Sequence, residues 1–185
     1  MKILVLVHNH FNDIELGTTL AILSKWPSIS KITIYNPDPT IKQVVGQCNV
    51  LKLDVEHTFN FDEYDAIFIP GGKGAQTLRK DTKSIEIIKK FKANKQKYIF
   101  AICDAPNVLY ENKIIDDNVS YSSYPIDTPF LFGAKRTETL ATVDGNIVTG
   151  RSPYATFEFA FKILETLFKN NLEEVAKYKK ALKGE

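Results

Sequence analysis

The sequence has few of the side chains that build metal centres and disulfide scaffolds. Among its 185 residues are two cysteines, Cys48 and Cys103, and three histidines. Two cysteines cannot form the disulfide framework of a small secreted domain or a four-cysteine zinc site. No C-x-x-C or H-x-x-x-H pair is present, so a mixed site has no support from the spacing either. We therefore expect no metal site.

The chain also lacks a long apolar run and an excess of one charge. The apolar stretch at residues 3–7 is too short for a secretion signal or a membrane span. Lysine and arginine total 24 against 22 acidic residues, which does not favour nucleic acid as a main partner. The 44% hydrophobic and 25% charged content is typical of a globular protein. We expect a cytoplasmic protein without nucleic-acid or membrane partners, forming a single domain over residues 1–185.

Strand-like and helix-like segments alternate along the chain. Buried, β-rich runs predict strands at residues 2–7, 31–35, 64–70, 98–102 and 146–149, with weaker strands at 42–45, 49–53, 119–125 and 138–143. Helical spacing predicts helices that start at Asn12 or Asp13 and that cover 84–91, 104–110, 154–168 and 172–182. Ile14 and Phe157 are expected on buried helix faces. The alternation predicts an α/β fold, with a mostly parallel sheet between helices.

Cys103 lies where such a sheet places its functional groups, directly after a buried strand and before a helix. A residue on this sharp turn is expected to expose its side chain, while the following backbone N–H groups point into the site. The helix N-terminus favours a thiolate, so the position suits a nucleophile with an oxyanion hole. The alternative is that Cys103 is a small buried apolar residue at a strand end.

Glu15 and a pair of glycines are the next candidates. Glu15 is either an ordinary acidic residue in the first turn of a helix, or a partly desolvated carboxyl that exchanges a proton with the thiolate. Gly71 and Gly72 either form a tight turn that needs a positive φ, or add a backbone donor to an oxyanion hole. They are not part of a phosphate loop, because neither glycine-rich phosphate motif is present.

Four segments, in this order, resemble the ThiJ/PfpI superfamily and in particular its parkinsonism-associated deglycase branch. They are strand 2–7 with Glu15 beyond it, IFIPGG at 67–72 followed by GAQ at 74–76, AICDAP at 101–106, and TGRSP at 149–153 followed by TFEFA at 156–160. The resemblance implies a flavodoxin-like three-layer sandwich that forms a homodimer and needs no cofactor. It also implies that Cys103 is the reactive elbow cysteine, that Glu15 is its hydrogen-bonding partner, and that the backbones of Gly72 and Asp104 form the oxyanion hole.

The resemblance implies several activities. The first is glyoxalase or deglycase chemistry on small reactive carbonyls or on damaged protein side chains. The second is an oxidative-stress sensor or chaperone with little turnover, and the third is an amidase or a protein of thiazole metabolism. A peptidase is disfavoured, because that branch has a histidine beside the cysteine and this chain has Asp104. The Asp104 carboxylate either raises the thiol pKa or turns away as a first-turn residue.

A histidine common in the related branch near Pro125 is absent, and Tyr124 takes its place. Tyrosine is a poor base at neutral pH, so acid–base work falls mainly to Glu15, unless His10 reaches the pocket rather than being exposed on its loop. Arg151 either binds a substrate anion or pairs with an acidic neighbour. The possible pocket residues are His10, Gly71, Tyr124, Arg151, Ser152 and Pro153.

Overall fold

A computed structural model describes residues 1–126 and 132–185. Within these residues the chain forms ten strands and six α-helices. The strands are β1 (Lys2–Leu6), β2 (Lys31–Tyr35), β3 (Gln43–Val45), β4 (Lys52–Asp54), β5 (Ala66–Ile69), β6 (Tyr98–Ile102), β7 (Tyr121–Ser122), β8 (Arg136–Thr137), β9 (Ala141–Asp144) and β10 (Ile147–Gly150). The helices are α1 (Asp13–Ser24), α2 (Gly74–Leu78), α3 (Thr82–Ala93), α4 (Ala105–Glu111), α5 (Thr156–Leu167) and α6 (Leu172–Lys183).

The main sheet has six strands in the order β2-β1-β5-β6-β10-β9. Its strands are parallel except β9, which pairs with β10 in an antiparallel hairpin whose turn contains Gly145 at φ +60°. The order β2-β1-β5-β6-β10 is that of flavodoxin-like proteins, so the predicted fold class is confirmed. The weaker strands predicted at 42–45 and 49–53 correspond to β3 and β4, which form an antiparallel pair of their own.

Side chains of β1 alternate between two cores, as a strand covered on both faces requires. Ile3 and Val5 face one core, and Leu4 and Leu6 face the other. Helices α1 and α5 cover the first core, and α2, α3 and α4 cover the second. Within the described residues, no helix combines the length and the apolar character that crossing a membrane requires.

Several sequence predictions about local structure are wrong. The short helix α2 was not predicted, and Ile14 and Phe157, expected to be buried, are 56% and 57% exposed. Within the segment 119–125, which was predicted as a strand, only Tyr121–Ser122 forms one, β7. The Ser122 amide donates to the Thr149 hydroxyl (2.9 Å) and the Tyr124 amide to the Cys103 carbonyl (2.7 Å), so these donors do not extend a ladder.

Candidate active site

The carboxyl ends of four parallel strands meet at one edge of the sheet. The segments that follow β1, β5, β6 and β10 carry Glu15, Gly71–Gly72, Cys103 and Arg151 respectively. The order of strands reverses between β1 and β5, which makes this edge the topological switch point where open α/β sheets bind ligands. The candidate site is built from the segments around this point.

Cys103 occupies a strained turn between β6 and α4. Its φ is +64°, in the left-handed region that non-glycine residues seldom adopt. Hydrogen bonds hold the turn on both sides, from the Cys103 amide to the Gly150 carbonyl (2.8 Å) and from the Tyr124 amide to the Cys103 carbonyl (2.7 Å). Strain of this kind persists only where the surroundings fix it, and it clusters at functional sites. The expected exposure is wrong, because Cys103 is only 6% exposed.

Glu15 lies on the first turn of α1, directed towards the interior. The Asn12 side chain caps this helix by accepting hydrogen bonds from the amides of Ile14 and Glu15. Glu15 is completely buried, and its Oε2 accepts a 2.8 Å hydrogen bond from the Gly71 amide. Its Oε1 has no hydrogen-bond partner in the described residues, and the carboxyl as a whole interacts with the Cys103 side chain. The carboxyl is therefore directed at the sulfur.

Glu15 and Cys103 form a coupled acid–base pair. Burial raises the pKa of Glu15 from 4.5 to about 7, and hydrogen bonds with Cys103 and Gly71 offset only part of that rise. Burial, followed by the Glu15 carboxylate, raises the pKa of the Cys103 thiol. The expected thiolate at the helix N-terminus is thus not the resting state. Above about pH 7 the proton that the pair retains is therefore mainly on sulfur, with the Glu15 carboxylate beside it as a base.

Two backbone amides lie at the sulfur. The amides of Gly72 and Asp104 lower the pKa of Cys103 by hydrogen bonding, although less than burial and Glu15 raise it. Glycine is needed at both positions before α2. A Cβ on Gly71 would lie 2.6 Å from the Cys103 Cβ, and Gly72 has φ +83° and would meet the Asn12 amide nitrogen at 2.5 Å. These contacts explain the glycine pair by close approach and by a turn with positive φ.

The Asp104 carboxylate is turned into a network of hydrogen-bond donors. Arg79 donates from Nη1 to Oδ2 (2.6 Å) and from Nη2 to Oδ1 (2.8 Å), and Asn107 donates to Oδ1 (3.0 Å). Burial would raise the pKa of Asp104, but these hydrogen bonds outweigh it and hold the pKa below its usual range. Arg79 also binds Glu111 through Nε (2.7 Å) and Nη2 (2.9 Å).

Sequence reasoning missed Arg79, Asn107 and Glu111. A signal was nevertheless present in the composition. Asp104 directly follows the candidate nucleophile, and a carboxylate needs a cation or several donors wherever it is buried. The chain has three arginines, and Arg79 lies close to the glycine pair in sequence.

The other predicted pocket residues are less engaged. His10 has an exposed side chain, although its backbone is held at φ +64° by hydrogen bonds to Val45 and Gly74. Tyr124 is 44% exposed, and its contribution at Cys103 is the backbone hydrogen bond described above.

The predicted pocket residues after β10 have no described hydrogen bond to Cys103 or Glu15. Arg151 donates to the Glu138 carbonyl (2.8 Å) and pairs with the Glu138 carboxylate. Of the two roles considered for Arg151, the structure therefore shows the pairing with an acidic neighbour. Ser152 and Pro153 follow Gly150 and lead through a short 3₁₀ turn into α5. Among residues 1–126 and 132–185, no three His, Cys, Asp or Glu side chains are grouped to hold a metal ion.

Comparison with known proteins agrees with this geometry. The model of the DJ-1/PfpI family matches residues 1–166. The chain belongs to the DJ-1/PfpI family. It is 36% identical over 172 residues to uncharacterized protein MG029 of Mycoplasma genitalium, covering 92% of this chain and 90% of that protein. Identity to the deglycase PfpI of Pyrococcus furiosus is 29%, over 89% of this chain and 100% of that one.

The fold of a solved DJ-1/PfpI family member matches over nearly the whole chain. Toxoplasma gondii DJ-1, in a structure described as oxidized, superposes with a TM-score of 0.80. The match has 26% sequence identity and covers 98% of this chain and 96% of that one. The resemblance noted from the four sequence segments is therefore confirmed.

Proposed function

We propose that this DJ-1/PfpI family member converts small α-oxoaldehydes such as methylglyoxal into hydroxy acids without a cofactor. One observation carries the proposal: a buried carboxyl, Glu15, is directed at Cys103 on a strained turn that two backbone amides face. A base with a pKa of about 7 is well matched to proton transfer at neutral pH.

In the first step, the Cys103 sulfur bonds to the aldehyde carbon while Glu15 takes the thiol proton. The aldehyde oxygen gains negative charge, and the amides of Gly72 and Asp104 donate hydrogen bonds to it. Glu15 then returns the proton to this oxygen, which completes a hemithioacetal. The thiol therefore needs no low resting pKa, because its proton leaves as the carbon–sulfur bond forms.

In the second stage, Glu15 carries the proton of the former aldehyde carbon to the neighbouring carbonyl carbon, while the hydroxyl proton of the hemithioacetal passes to the neighbouring carbonyl oxygen. The first carbon is oxidised and the second reduced, which leaves a thioester of the hydroxy acid on Cys103. Water attacks the thioester, the carbon–sulfur bond breaks, and the hydroxy acid leaves. The overall change is addition of one water to the oxoaldehyde, so no outside oxidant or reductant is required.

The burial of Cys103 favours a small substrate. With 6% of the residue exposed, a three-carbon aldehyde fits the access better than a modified side chain on a folded protein. The name of one relative, the deglycase PfpI of Pyrococcus furiosus, supports carbonyl chemistry for this chain. Asp104, where a peptidase-type site would have histidine, argues against proteolysis.

The test is a steady-state assay of methylglyoxal loss and lactate formation with purified protein. Cys103→Ala should abolish both, whereas the matched variant Cys48→Ala should retain wild-type rates because Cys48 is exposed and outside the site. Equal rates in the two variants, or a wild type without turnover, would overturn the proposal.

A second function, sensing of oxidants, is favoured by the same carboxyl. Peroxide would convert the Cys103 thiol to a sulfenic acid, releasing water, and a second peroxide would give the sulfinic acid. Protonated Glu15 would donate a hydrogen bond to the new oxygen, since its pKa is near 7. Mass spectrometry after mild peroxide should then show two added oxygens on Cys103 before any on Cys48. Indiscriminate oxidation of both cysteines would reject this function.

We also infer a homodimer. Ile14 on α1 and Val50 on the loop between β3 and β4 are 56% and 73% exposed. Asp13 joins these two segments by accepting from the Val50 amide (3.1 Å), so the exposed side chains belong to neighbouring parts of one surface. Light scattering should give twice the chain mass, and a monomer at micromolar concentration would contradict the inference.

A further inference from the structure

The Cys103 site contains an ion network that the proposed reaction does not use. Arg79, at the end of α2, binds Asp104 and Glu111 through paired hydrogen bonds. Four N–H···O contacts therefore engage one guanidinium, which has five N–H donors in total. The exposed fractions of the three side chains are 18%, 11% and 16%, so the network is largely shielded from water.

The network is continuous with the nucleophile turn. Asp104 is the residue after Cys103, and its amide is one of the two that face the sulfur. Asn107 donates from one nitrogen to Asp104 Oδ1 (3.0 Å) and to the Tyr124 carbonyl (3.1 Å). Tyr124 in turn donates its amide to the Cys103 carbonyl (2.7 Å). Hydrogen bonds through Asn107 and Tyr124 thus connect the Asp104 side chain to the Cys103 carbonyl.

We propose that Arg79 is a positioning residue for Cys103. By binding both oxygens of Asp104 it directs that carboxylate away from the sulfur, neutralises its charge, and aligns the Asp104 amide as an oxyanion donor. The proposal rests on the proposed role of Cys103 as nucleophile and goes beyond it, because it assigns a function to a residue that contacts neither substrate nor sulfur.

The charge balance explains why this chain needs such a residue. The charged groups that described contacts link to the site are Glu15 on α1, Asp104 just before α4, Glu111 at the end of α4, and Arg79 just after α2; Arg151, after β10, is paired with Glu138. Three of the four groups nearest the site are acidic. Asp104 already raises the pKa of Glu15 through its charge, even while it is bound by Arg79. Without the guanidinium, the thiol would form its thiolate beside a second unpaired negative charge.

The test is the pH dependence of Cys103 alkylation by iodoacetamide, measured in a Cys48→Ser background so that one thiol is read. Arg79→Met should move the midpoint to higher pH and slow alkylation at pH 7 by about tenfold, the effect of one pKa unit. Arg79→Met combined with Asp104→Asn should recover most of that loss, since the carboxylate that Arg79 neutralises is then gone. Lys80→Gln is the matched control, because it removes one positive charge from an exposed neighbour.

A purely structural role would give a different pattern. It would lower the melting temperature and leave the alkylation midpoint unchanged, and this result in folded Arg79→Met would overturn the proposal. If Arg79→Met does not fold, Arg79→Gln decides the matter: the amide keeps a hydrogen-bond donor for the carboxylates but removes the positive charge, so the midpoint should still rise. An unchanged midpoint there would also refute the role.

Alkylation separates this inference from the reaction proposed above. A wild type that fails to consume methylglyoxal but shows the Arg79-dependent midpoint would overturn the carbonyl reaction alone. A wild type that turns over methylglyoxal with an Arg79-independent midpoint would overturn the role of Arg79 alone.

Discussion

Replacing Glu15 by glutamine should stabilise the protein at alkaline pH while removing its reactivity. Glu15 is completely buried, and its pKa rises from 4.5 to about 7 on folding. The folded state therefore binds a proton more tightly than the unfolded state. Stability from this group is fully present below pH 4.5 and is lost as the pH rises through about 7.

The magnitude follows from the shift. A rise of 2.5 pKa units, from 4.5 to about 7, at 1.36 kcal/mol per unit corresponds to a loss of about 3 kcal/mol above pH 7. Glutamine is neutral at every pH and keeps an oxygen for the Gly71 amide, but the hydrogen bond to a carboxylate is replaced by a weaker one, at a cost of about 1 kcal/mol. The net gain at pH 8 should be about 2 kcal/mol.

The assay is thermal or urea denaturation of wild type and Glu15→Gln at pH 5 and pH 8. A gain of about 2 kcal/mol should raise the melting temperature by roughly 4–8 °C at pH 8 for a chain of this size, and much less at pH 5. Glu86→Gln, on the exposed face of α3, is the control and should shift neither value. A Glu15→Gln protein that is less stable at pH 8, or a difference independent of pH, would refute the burial argument.

Two further substitutions test the contacts that hold the backbone around the site in place. Gly71→Ala should lower stability by about 1–3 kcal/mol and slow Cys103 alkylation, because the new Cβ would lie 2.6 Å from the Cys103 Cβ; unchanged denaturation and alkylation would contradict the close approach. Asp13→Ala should cost about 2–4 kcal/mol in urea denaturation, since the amides of Cys48, Val50 and Leu51 lose their acceptor. A loss below 0.5 kcal/mol would show that water replaces the carboxylate in full.

Periodicity was enough to predict the layers of the fold. Continuous apolar strands such as 98–102 are buried on both faces, and a pattern of this kind has few alternatives. Which face of each helix is buried was harder to predict. Ile14 and Phe157 have the residue type and spacing of core positions but are exposed, because amphipathic spacing cannot distinguish a core from another apolar surface.

The chemistry of the site was predictable in part. The strand–turn–helix position led to Cys103, and the structure places Glu15 and the glycine pair against it. Its burial and the Arg79 network were not predicted, because both depend on side chains brought together from distant parts of the sequence. The expectation of a thiolate considered only the helix dipole, whereas desolvation and the neighbouring carboxylate outweigh that effect here.

The contact made by Asp13 has a consequence for how this family member can diverge. One carboxylate accepts three backbone amides, from Cys48, Val50 and Leu51, and it lies two residues before Glu15 on the same helix. Surface loops usually tolerate insertions and deletions, but a changed length here would misalign amides that are bound to the start of α1. We expect orthologues that keep aspartate at this position to keep the loop length as well, and to lose both together.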